Sequence, residues 1–216
     1  MHPFLKRTFV FLLMILGFLP QAFAQTAELA EGYYRIVSRR NNFPICVKNQ
    51  RLGYLSEHSG SGTEHGEDLS SYWKVKRVNG AYWIVNVGEQ LPIQPLDRLN
   101  ETFIVGTMPA HYYIKKASGS GGADYWVVST TENFKGKTLW HNGNSGLVQN
   151  WEDANSEANH WKFVSLTAEE KKSVAQFETS WPKLEKNLLQ LEKLREGGLY
   201  RVKNASNRYW TVDQSS

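Results

Sequence analysis

Between residues 32 and 165 apolar and polar positions alternate in short runs, and one phrase recurs. An aromatic opens a β-branched run in Tyr34-Arg35-Ile36-Val37-Ser38, in Tyr82-Trp83-Ile84-Val85-Asn86 and in Tyr125-Trp126-Val127-Val128-Ser129. Each phrase is answered downstream by a second aromatic segment: Tyr72-Trp73-Lys74-Val75, Tyr112-Tyr113-Ile114-Lys115 and His160-Trp161-Lys162-Phe163. Short β-branched and aromatic runs of this kind predict strands. They are separated by turn-forming clusters at Asn79-Gly80, Gly119-Ser120-Gly121-Gly122 and Asn142-Gly143-Asn144-Ser145-Gly146. Recurrence at roughly 40 residues marks a repeat architecture, because one unit cannot bury its own apolar face and must share a core with its neighbours. The expectation is an all-β domain over residues 32–165, built from three tandem units, with no long helix inside it.

The pattern changes after Leu166. Thr167-Ala168-Glu169-Glu170 has the form of a capping box. Val174, Phe177, Trp181, Leu184, Leu188 and Leu191 then follow at spacings of three and four, which places them on one helical face. A helical arm is expected over residues 167–196. Its stripe is too short for a coiled coil and is read as a face docked on the domain. Pro182 predicts a kink, or a restart capped by Ser180, and Gly197-Gly198 predicts the end. Beyond it, Gly198-Leu199-Tyr200-Arg201-Val202-Lys203-Asn204 repeats Gly32-Tyr33-Tyr34-Arg35-Ile36-Val37-Ser38. Residues 198–216 therefore read as the first hairpin of a further unit, which either pairs with something already present or is cut short.

The first residues belong to a different class of segment. Lys6 and Arg7 precede an apolar stretch from Phe9 to Leu19, followed by Pro20 and Ala22-Phe23-Ala24. This is the layout of a secretory signal over residues 1–24, cut after Ala24, and the stretch is short for a membrane span. A secreted or periplasmic protein is expected. The formal net charge is +4, to which Lys6 and Arg7 contribute, and the remaining charges are interspersed. That distribution gives no clustered basic face of the kind that binds nucleic acid. The lone Cys46 lies in the apolar run Phe43-Pro44-Ile45-Cys46-Val47 and reads as a buried thiol.

Catalytic signatures are missing from the sequence. It holds no Gly-x-Ser-x-Gly, no His-Glu-x-x-His, no phosphate loop and no dinucleotide fingerprint. His58 and His65 lie among Glu57, Glu64, Glu67 and Asp68 in a glycine- and serine-rich stretch, which reads as a solvated loop and not as a metal site. A non-catalytic protein without metal or cofactor is expected.

Three units in tandem, together with Gln149-Asn150-Trp151, Asn159-His160-Trp161 and Ser71-Tyr72-Trp73, make residues 32–165 resemble a ricin B-type β-trefoil lectin domain. Units of that family close on Gln-x-Trp. Here the closing tryptophans stand while Ser71 and Asn159 replace the glutamine. The resemblance implies a β-trefoil fold and a glycan partner, with Trp151 as the stacking ring, Asn159 as a hydroxyl partner and Gln149 in support. Galactose-binding members carry an aspartate after a Gly-x-x-Leu segment, but Gly136-Lys137-Thr138-Leu139 is followed by Trp140. An indole donates one hydrogen bond where a carboxylate would accept two.

The residues make a parallel case of their own. A pyranose has apolar C–H faces and a polar rim, so its sites pair an aromatic platform with amides. The segment from Trp140 to Trp161 concentrates such groups, and Trp140, Asn144, Gln149, Trp151 and Asn159 are the candidate ligand-binding residues. The competing reading makes the tryptophans core aromatics and the asparagines turn residues. It leaves a β-trefoil protein-interaction module or protease inhibitor, with a protein partner in place of a glycan.

Overall fold

A computed structural model describes residues 28–54, 69–96, 98–118, 124–130, 137–143, 146–152, 156–195, 202–203 and 209–210. The expected signal segment lies outside them, as do Asn144, the loop carrying His58 and His65, and Gly197-Gly198.

Among the described residues twelve strands form the domain, four per unit. The first unit holds β1 (Gly32–Ser38), β2 (Ile45–Lys48), β3 (Arg51–Tyr54) and β4 (Trp73–Val78). The second holds β5 (Ala81–Asn86), β6 (Ile93–Gln94), β7 (Ile104–Val105) and β8 (Tyr112–Lys116). The third holds β9 (Trp126–Thr130), β10 (Lys137–Asn142), β11 (Leu147–Glu152) and β12 (Trp161–Ser165). The first and last strands of each unit pair in a closed ring, β1–β4–β5–β8–β9–β12 and back to β1. The middle strands pair as hairpins, β2–β3, β6–β7 and β10–β11. This barrel with a three-hairpin cap is the β-trefoil that the repeats predict, and closing the ring removes exposed sheet edges from it.

The threefold pattern extends to individual atoms. At one end of the barrel Tyr34 faces Trp73, Tyr82 faces Tyr112, and Trp126 faces Trp161 across their strand pairs. The closing member of each pair is fully buried and donates to the carbonyl of a buried aliphatic at the start of its unit's hairpin. Trp73 Nε1 reaches Ile45 O at 3.2 Å, Tyr112 Oη reaches Ile93 O at 3.1 Å, and Trp161 Nε1 reaches Leu139 O at 3.0 Å. The hairpins meet around Leu52, Phe103 and Val148, all buried, through the pairs Arg51–Ile104, Thr102–Gln149 and Leu147–Gly53. These contacts correct one register. Trp126, not Tyr125, is the third unit's equivalent of Tyr34 and Tyr82, while Tyr125 stacks on His160 at 6.4 Å under the Arg39 guanidinium.

The helical arm docks on the barrel's outer surface, as its single apolar face predicts. Helices α1 (Ala168–Ser173) and α2 (Ala175–Arg195) bring Val174, Phe177, Trp181 and Leu188 into one cluster with Tyr33, Tyr72, Trp83 and Val85. The capping box is formed in full at Thr167 and Glu170. Glu170 also pairs with Arg35, and Glu192 pairs with His111. The break between the two helices falls at Val174, and α2 does not restart at Pro182. Pro182 lies within a continuous α2, where the Ser180 hydroxyl donates to Phe177 O at 2.9 Å and the Thr179 hydroxyl to Ala175 O at 3.1 Å. Tertiary packing on both sides of the proline offsets its propensity cost. Past the arm, β13 (Val202–Lys203) and β14 (Tyr209–Trp210) form the expected short hairpin.

Trp161→Ala removes a fully buried indole together with its bond to Leu139, and unfolding by denaturant should show a loss of about 3–5 kcal/mol. Phe177→Ala should cost about 3 kcal/mol if the arm unfolds with the barrel, and almost nothing in the barrel's own transition if the arm is independent.

Candidate functional site

The third unit's hairpin sorts the candidate residues by strand alternation. Along β10 the inward positions are Leu139 and His141, both buried, and along β11 they are Val148 and Asn150. The outward positions, half-buried, are Trp140, Asn142, Leu147, Gln149 and Trp151. Trp140 lies directly across from Gln149 and diagonally from Trp151, in register with Thr138–Trp151 and Asn142–Leu147. Diagonal neighbours on an antiparallel pair are within reach of aromatic side chains. The two indoles stack with centroids 5.4 Å apart and planes 30° apart. Beside them, Asn142 Nδ2 donates to Gln149 Oε1 at 2.6 Å. One outer face therefore carries two aromatic rings and an interlocked pair of amides.

Asn159 is not part of that face. It is fully buried, its amide donates to Thr138 Oγ1 and to Leu139 O, and its carbonyl accepts from Ser156 Oγ at 2.9 Å. It ties the short turn before β12 to β10, so its groups are engaged within the protein and it is corrected from ligand partner to structural residue. Asn144 lies outside the described residues. Asn142, which the sequence reading left out of the candidate set, takes the place beside Gln149. The alternation that puts it outward was available in the sequence, but its position next to the Gly143 turn made it read as a turn residue. Asn150 is structural as well, donating to Leu96 O at 2.8 Å and accepting from Glu101 N at 3.2 Å.

Beneath the hairpin, His141 stacks on Tyr54 of the first unit at 4.3 Å, and its Nδ1 is 2.8 Å from Ser38 Oγ. Burial, helped by the nearby Arg40 charge, lowers its pKa to about 4. Burial also pushes the Tyr54 hydroxyl up, an effect that Arg40 partly opposes. Both rings are therefore neutral at physiological pH. Among the described residues no group of three or more His, Cys, Asp or Glu gathers as a metal site, and no helix is long and apolar enough to cross a membrane.

No protein-family profile and no curated protein sequence matches this chain. Solved structures do. A ricin B-like lectin from Macrolepiota procera, solved in complex with lactose, aligns at 13% identity with a TM-score of 0.51, over 64% of this chain and 99% of the lectin. The Rhizoctonia solani agglutinin aligns at 11% identity and a TM-score of 0.50, over 64% of this chain and 98% of its own. A proteinase inhibitor from Coprinopsis cinerea aligns at 13% identity and a TM-score of 0.50, over 64% and 99%. The chain thus has the β-trefoil fold of the ricin B-like lectins in a divergent sequence, and the same fold carries a proteinase inhibitor.

Because His141 is neutral when folded and has an ordinary pKa of 6.5 when unfolded, the unfolded chain binds the extra proton between about pH 4 and pH 6.5. His141 thus contributes stability that is full above that window and is lost as pH falls through it. His141→Phe should flatten this part of the acid-side stability curve, and the His141 ring should titrate in NMR with a midpoint near 4.

Proposed function

We propose that this protein is an exported, non-catalytic carbohydrate-binding module that holds a glycan on the outer face of its third unit. The observation that carries this reading is the Trp140–Trp151 stack standing next to the Asn142–Gln149 amide pair. Aromatic faces accept the C–H surface of a pyranose, and the amides supply donors and acceptors for its hydroxyls. No carboxylate lies on this face among the described residues, so recognition falls to stacking and to neutral amides. Export is read from the segment ending at Ala24.

A protein-interaction role is the second reading, and it draws support from the proteinase inhibitor that shares the fold. The two differ in what they require of the surface. A protease or other protein partner needs a larger footprint than one hairpin face offers, whereas a saccharide fits two rings and two amides.

On a glycan array the mature protein should bind a defined set of oligosaccharides, and Trp151→Ala should reduce that binding at least tenfold while leaving the fold intact, as stacked aromatics in binding sites do when truncated. Silence of both proteins across the array, with inhibition of a protease panel by the wild type, would transfer the assignment to the second reading.

A further inference from the structure

The hairpins of the first and third units enclose between them a cleft of about 620 Å³, which is within the range of small-ligand sites. Its closeness is built in: a Cβ on Gly53 would stand 3.2 Å from the carbonyl oxygen of Gly146 at the tip of the neighbouring hairpin. Phe43, Tyr54 and His141 give the cleft apolar surface, and Lys48 and Arg51 give it charge. None of its described lining residues is acidic.

The charge is arranged against the protein's own stability. Lys48 and Arg51 are direct partners across β2–β3, and like charges in that position repel. The turn that joins them, Asn49-Gln50, has φ of 51° and 61° at its two residues, a left-handed geometry that glutamine adopts reluctantly. A third cation stands nearby, since the Arg40 guanidinium packs against Gly143 of the lining, 3.2 Å from where a Cβ would be. None of the ion pairs among the described residues uses Arg40, Lys48 or Arg51. Among the described residues the buried Tyr54 hydroxyl has no hydrogen-bond partner, an arrangement that is costly for a donor unless a ligand accepts from it.

We infer that this cleft is a second saccharide subsite, selective for a sugar that carries a carboxylate. The Tyr54–His141 stack offers the ring a flat apolar surface. Arg51 and Lys48 pair with the carboxylate, for which a guanidinium has matching bidentate geometry, and the Tyr54 hydroxyl donates to the ligand. The inference rests on the glycan-binding reading of the third unit but uses none of the residues of its outer face. The two faces together favour a chain in which neutral and acidic residues occur in one polymer.

The test is calorimetric titration at low salt with tetragalacturonate and with galactotetraose. The wild type should bind the acidic sugar about tenfold more tightly than the neutral one, and the preference should fade as salt screens it. The double variant K48E/R51E should lose the preference while keeping its affinity for the neutral sugar. Tyr54→Phe should weaken only the acidic sugar, by about fivefold, because it removes a hydroxyl and leaves the ring. Trp151→Ala should do the reverse, losing neutral binding and keeping the contribution of the carboxylate. The thermal midpoint of K48E/R51E should stay near that of the wild type, since one repelling pair replaces another, and this shows that lost binding is not lost folding. Equal affinity of the wild type for both sugars would overturn the inference. So would acetate competing as well as the oligosaccharide, which would leave an adventitious ion only. Loss of neutral binding in the wild type, with acidic binding intact and sensitive to K48E/R51E, would instead sink the third-unit reading and support this one.

Discussion

Three hydrogen bonds from buried aromatic side chains to main-chain carbonyls hold this architecture in register: Trp73 to Ile45, Tyr112 to Ile93 and Trp161 to Leu139. Each links the closing strand of a unit to the start of that unit's hairpin. A buried indole or phenol donor without an acceptor is expensive, so a hairpin cannot slip by a residue without stranding it. Since strand side chains alternate between faces, fixing the inward aliphatic also fixes its neighbour outward. The next residues along, Cys46, Gln94 and Trp140, occupy equivalent outward positions on three hairpins. The site chemistry therefore depends on a constraint in the core.

That frame separates stability from function. The barrel and the pairs around Leu52, Phe103 and Val148 repeat in all three units, but the outward chemistry differs in each. The first hairpin presents Lys48 and Arg51, the second Gln94, and the third two indoles and two amides. One scaffold carries three surfaces, which is how a β-trefoil can serve unrelated roles. The arm adds a fourth element on the outer surface of the barrel, around Tyr72, Trp83 and Val85.

Much of this was legible in the sequence because it is local. The repeated phrases named the barrel strands, the Thr167-Glu170 box named the start of the arm, and its apolar spacing named the face that docks. What was not legible depended on contacts between distant residues. The offset from Tyr125 to Trp126 is decided by pairing with Trp161, and a phrase with two adjacent aromatics is ambiguous by one position. Asn159 looked like a binding amide until its place under Thr138 and Leu139 was known. Pro182 is tolerated because packing outweighs propensity. The cleft between the first and third hairpins draws on residues from both ends of the domain, so no local pattern announces it.

The proposed saccharide platform is the Trp140–Trp151 pair, while Trp73, Trp83 and Trp161 are buried in the core. Indole Nε1–H resonances of residues 25–216, followed by NMR during titration with an array-identified glycan, test it directly. The account predicts that the Trp140 and Trp151 signals move together and saturate, and that those of Trp73, Trp83 and Trp161 stay where they are. Unmoved Trp140 and Trp151 signals in the presence of bound glycan, or shifts confined to the buried tryptophans, would contradict it.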